Sequence, residues 1–145
     1  MKKLPVRFGR KGFTLIELLI VIVIIGILAG VVLVVLNPAK QQRKSAESVL
    51  SANTNKLCLA LNSCAATTPT AASCGTLALL GAADPAGVPT TSTYTPAVAG
   101  NVVTITGALA AAGGSKTSGT ACNITCSFDF VAGTAVKLTP DAGCW

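Results

Sequence analysis

The chain contains no histidine, which excludes a histidine-based triad and a histidine-bearing zinc site. Acidic residues are few: five in 145, namely Glu17, Glu47, Asp84, Asp129 and Asp141. No two of them form an acid dyad of recognisable spacing, and the three aspartates are too scattered for an acidic calcium loop. Six aromatic residues give no basis for a conducting stack of rings. There is no C-x-x-C pair and no nucleotide-binding motif. These absences argue against an enzyme and against any cofactor. Charge of both signs is scarce, at 11%, whereas 51% of the residues are hydrophobic and the mean hydropathy is +0.67. That balance is too apolar for an ordinary soluble domain.

Charge and apolarity are segregated along the chain. Five of the eleven basic residues fall in the first eleven positions: Lys2, Lys3, Arg7, Arg10 and Lys11. No acid accompanies them. Residues 13–36 then carry one charge, Glu17, and residues 18–36 carry no polar side chain. As a helix those last 19 residues span roughly 28 Å, close to the hydrocarbon core of a bilayer. Without the first twelve residues, six basic residues face five acidic ones, a net charge of +1. The formal +6 therefore belongs to a leader and gives no argument for nucleic-acid binding.

The apolar run is about twice as long as that of a cleaved secretory signal, and no small-residue cleavage site follows it. A lipoprotein signal needs a cysteine just past the run, but the first is Cys58. A signal anchor with a cytoplasmic N-terminus fits the basic flank. It leaves Glu17 unexplained, because a charge near the membrane entry of an apolar helix needs a partner or a route to water.

Gly12-Phe13-Thr14-Leu15-Ile16-Glu17, behind a short basic leader and ahead of an apolar span, closely resembles the processing site of type IV pilins. The resemblance covers about 25 residues. It implies cleavage between Gly12 and Phe13 by a membrane peptidase, methylation of the new Phe13 amine, and a mature chain of 133 residues. Gly12 lets a peptidase approach the scissile backbone. Glu17 lies one turn from that amine, about 6 Å along the axis. In a staggered filament, Glu17 of one subunit then meets the Phe13 amine of the next and sets the register. Gly26 and Gly30 form a small-xxx-small pair that allows close helix approach, though glycine is also common in membrane helices generally. Many family members carry a proline inside the span where this chain has Val34. Here the first proline after the leader is Pro38, expected to kink the helix just beyond the membrane.

Past Pro38 the pattern becomes amphipathic. Ala46, Val49, Leu50, Leu57, Ala60 and Leu61 recur at helical spacing. One long helix is expected: residues 13–37 in membrane or filament core, then an amphipathic half, 38–62. Lys40, Arg43 and Lys44 read as a solvated face partly paired with Glu47, although such a cluster also suits DNA, anionic lipid or an acid of a neighbouring subunit.

Residues 63–145 make a head thin in core material. From residue 62 onward, 43 of 84 residues are Ala, Gly or Thr, and only 17 are large apolar ones. Such a head needs the helix stripe and disulfides to be stable. Its six cysteines are Cys58, Cys64, Cys74, Cys122, Cys126 and Cys144, which allow fifteen pairings. If Cys122 and Cys126 share a strand, their Cα atoms lie about 13 Å apart, beyond the reach of a disulfide. Resemblance to the pilins, which often close their C-terminal region this way, suggests that Cys144 joins Cys122 or Cys126. Cys58 is expected to join Cys64 or Cys74. Alternation predicts strands at 94–98, 101–106, 122–130 and 135–139, with a hairpin across Ala99-Gly100. Residues 65–89 read as a loop with a short helix at 76–80.

The fold class expected is thus α+β: a long N-terminal helix packed on a small antiparallel sheet, residues 94–139. The resemblance implies a non-enzymatic filament subunit. It starts as a single-pass inner-membrane precursor with its N-terminus in the cytoplasm and ends in an extracellular homopolymer. Its implied partners are like subunits, prepilin peptidase, an assembly platform protein and an ATPase; nucleic acid is not indicated. The alternatives are a pseudopilin of type II secretion or competence, and a signal-anchored binding module that never polymerises.

Overall fold

The computed structural model describes residues 12–112, 114–117 and 119–145. The basic leader apart from Gly12 lies outside them. The chain forms two compact units that divide between Asn37 and Pro38. The first holds α1, Leu15–Leu36. The second holds α2, Pro38–Thr67, a 3-10 helix at Ala71–Cys74, and four strands: β1, Ser92–Ala99; β2, Val102–Leu109; β3, Cys122–Asp129; and β4, Thr134–Pro140. The molecule is α+β and pilin-like.

The single kinked helix expected from the sequence is instead two helices. Asn37 adopts a left-handed conformation, φ 41°, and ends α1. Asparagine tolerates that geometry, and a following proline disfavours a helical residue before it. Pro38 then occupies the first position of α2, where its missing N–H costs nothing. The second helix also runs past residue 62 to Thr67. Cys64-Ala65-Ala66-Thr67 contains no breaker, and Pro69 is the first residue that cannot continue it.

The sheet is an antiparallel meander in the order β1-β2-β3-β4. Ala99 pairs with Val102, so the first hairpin turns at Gly100-Asn101, one residue later than expected. Gly100 has φ 62°, which tight hairpin turns require. In the second hairpin Asp129 faces Thr134, and its Oδ1 accepts from the N–H groups of Val131 and Ala132 at 2.8 and 3.1 Å. Residues 76–80 form a turn, not the short helix expected: one Leu80 N–H to Thr76 C=O bond closes it, and Gly81 at φ 64° ends it.

Alternate residues of β2 point inward: Val103, Ile105, Gly107 and Leu109. They meet Cys122, Ile124 and Cys126 of β3 and a stripe of α2 containing Leu50, Leu57 and Leu61. Each fully buried leucine contributes about 1.5–3 kcal/mol relative to exposure. One inward position on β2 is Gly107, where a Cβ would overlap Thr54 Oγ1 of α2. Glycine there lets α2 lie close on the sheet.

Three disulfides fasten this thin core: Cys58–Cys126, Cys64–Cys74 and Cys122–Cys144. Cys144 takes one of its two candidate partners. Cys58 does not bond Cys64 or Cys74, which is a correction. Cys58 and Cys64 lie on one helix, about 9 Å apart along the axis, and Cys58 faces the sheet. Its bridge therefore ties α2 to β3.

Candidate functional site

The segment from Gly12 to Glu17 stands clear of the rest of its unit. Phe13 is 83% exposed. Thr14 is the N-cap of α1, with extended φ −81° and ψ 148°. Its Oγ1 accepts from the Glu17 N–H at 3.4 Å, and its hydroxyl donates to Glu17 Oε2 at 3.4 Å. Thr-x-x-Glu is a capping-box pattern. The pattern stands in the sequence and gives Glu17 a local role at the start of α1. The cap begins the helix two residues after Gly12, and Glu17 sits at the positive end of the helix dipole, where a carboxylate is favoured.

The 22-residue α1 buries none of its side chains, and its apolar residues cover every face. A helix apolar all round needs apolar surroundings on all sides. At about 33 Å it is long enough to cross a bilayer. Gly12, Gly26 and Gly30 all stand in open space: a Cβ at any of them would meet nothing within 4 Å. Among the described residues nothing therefore calls for glycine at these positions, although each glycine inside a helix costs about 1 kcal/mol relative to alanine.

The basic cluster of α2 separates into two roles. Arg43 is 4% exposed and Glu47 6%, so this is not the solvated face expected. Arg43 Nε donates to Glu47 Oε1 at 2.9 Å. Its Nη1 and Nη2 donate to the carbonyls of Ala110 and Leu109, at 2.7 and 3.3 Å, where β2 ends. Glu47 Oε2 accepts from the Trp145 N–H at 2.7 Å. One buried ion pair thus holds α2, the end of β2 and the C-terminal segment. The sequence signal was spacing: positions 43, 47, 50, 54, 57 and 61 form one helical stripe, and its first two members are charged. Lys40 and Lys44 instead flank the ring of Trp145.

Glu47 also lies beside Cys122 and Cys144, their donor atoms within 4.8 Å of one another. Both sulfurs are joined in the disulfide and the carboxylate is engaged, so these three do not make a metal centre.

Residues 7–33 match the family model of the prokaryotic N-terminal methylation motif. The chain carries a type IV prepilin-like processing motif. The curated proteins and the solved structures gave no match. Motif and fold together support a type IV pilin- or pseudopilin-like protein of structural design, and the apolar α1 fits a membrane-anchored precursor.

Proposed function

We propose that this chain is the precursor of a type IV pilus subunit, cut between Gly12 and Phe13, methylated on the Phe13 amine and polymerised through α1. The observation that carries the reading is α1 itself: a methylation motif heading a helix that is apolar on every face and covered on none. In a membrane, lipid covers it; in a filament, the helices of other subunits do. The open space around Gly26 and Gly30 favours close approach by a neighbouring helix, since no contact among the described residues explains them. Glu17 sets the register by meeting the Phe13 amine of the next subunit. Assembly rests on a platform protein and an ATPase, because the chain has no nucleotide motif of its own. The fully disulfide-bonded, Thr- and Ala-rich head favours an exposed surface filament over a periplasmic pseudopilus.

Glu17→Ala tests the reading. The variant is expected to be cleaved like the wild type and to accumulate in the membrane, absent from filaments sheared off the cells. Filaments containing the variant at wild-type abundance would overturn the register role.

A further inference from the structure

Trp145 is the only tryptophan in the chain, and it is fixed from three sides. Its N–H donates to the buried Glu47, and its Nε1–H donates to the Gly114 carbonyl at 3.0 Å. Lys40 Nζ and Lys44 Nζ lie 4.0 and 4.9 Å from the ring centroid. Trp145 as a whole remains 44% exposed. Beside it opens a cleft of about 480 Å3 lined in part by Lys44, Ser48, Ser51 and Trp145. Glu47 also lines it, with its carboxylate already engaged by Arg43 and the Trp145 amide. Two ammonium groups, an amphipathic ring and hydroxyls therefore share one surface.

Covalent reach limits where that surface lies. Lys40 lies four positions after Leu36, the last residue of the apolar helix, a span of at most about 14 Å. Lys44 is about 9 Å along the α2 axis from Pro38. The polar zone of each leaflet is roughly 5–7 Å deep. With α1 in a bilayer, long lysine side chains this close to its end reach headgroup level. Tryptophan favours that depth, and anionic lipid attracts cations there.

We propose that Lys40, Lys44 and Trp145 form a docking surface for anionic phospholipid headgroups, used while the chain is membrane-anchored. The lysines take the lipid phosphates and the ring settles among the glycerol and headgroup atoms. The surface requires only that α1 enters a bilayer, so it stands or falls independently of polymerisation.

The full chain, reconstituted into vesicles, gives the test, because all tryptophan emission comes from Trp145. Vesicles of phosphatidylcholine alone are compared with vesicles containing about one third phosphatidylglycerol, each carrying a nitroxide on the headgroup or deep in the acyl chain. The headgroup nitroxide is expected to quench more than the deep one, and about twofold or more in the anionic vesicles relative to the neutral ones. Lys40→Gln with Lys44→Gln is expected to lower quenching to the neutral-vesicle level, with all six cysteines still unreactive to thiol reagents. A salt titration of the wild type reads the same dependence without substitution, and quenching should fall as salt rises. Equal quenching in both vesicle types, quenching insensitive to salt, or quenching that disappears as protein is diluted in the bilayer would each overturn the proposal, the last by showing contact between copies of the chain.

Discussion

Arg43 and Glu47, one turn apart on α2, hold each other at 2.9 Å with both side chains buried. Each also binds a distant part of the second unit: Arg43 the carbonyls that end β2, and Glu47 the amide of Trp145. Breaking such a pair leaves a buried charge without its partner. Glu47→Ala is expected to destabilise the head by about 3–5 kcal/mol. Denaturant unfolding of the full chain in detergent, followed by Trp145 fluorescence, reads the loss. A change below about 1 kcal/mol, the range of exposed pairs, would show that the pair is solvated.

Gly107 and Thr54 pack β2 tightly against α2: a Cβ added at Gly107 would overlap Thr54 Oγ1. Gly107→Ala should cost about 1–3 kcal/mol through overpacking. Adding Thr54→Ala removes the hydroxyl that the new Cβ meets, at the cost of its 2.8 Å bond to the Leu50 carbonyl. The double variant should then recover part of the loss. A double-mutant cycle checks this, and additive losses would place the helix farther from the sheet.

The disulfides should differ in worth. Cys58–Cys126 closes a 68-residue separation and Cys64–Cys74 only 10. Chain entropy gives about 4 kcal/mol for the longer loop and about 3 kcal/mol for the shorter. Paired Cys→Ala variants should lower the denaturation midpoint in that order. Peptide mapping of the unreduced protein should recover Cys58 linked to Cys126, not to Cys64 or Cys74.

Processing should depend on the absence of a side chain at residue 12. Gly12→Val is expected to reduce cleavage severely while leaving the head folded, since a Cβ at residue 12 meets none of the described residues within 4 Å. Immunoblotting of membranes for precursor and mature bands reads it. Unimpaired cleavage would mean that the peptidase does not need close access to that backbone.

The elements that could be read from the sequence are those whose residues follow a period. The alternation of Cys126, Phe128 and Phe130 with Ser127 and Asp129 placed β3, and residues 101–106 placed most of β2. Uninterrupted apolarity placed α1. What escaped depends on contacts between distant residues. Arg43 has the composition of a surface residue, and its burial is tolerable because Glu47 pairs with it and the carbonyls of Leu109 and Ala110, more than sixty positions away, take its remaining donors. A helix that stops at residue 62 leaves Cys58 and Cys64 free to meet; carried on to Thr67, it holds them apart. The Thr14–Glu17 cap follows from the Thr-x-x-Glu pattern alone.

Mass spectrometry of filaments sheared from producing cells tests whether Gly12–Phe13 is the processing site and α1 the assembly helix. Abundant chain beginning at N-methylated Phe13, with no free thiol, is the expected result. Unprocessed chain that starts at Met1 and stays in the membrane would contradict it.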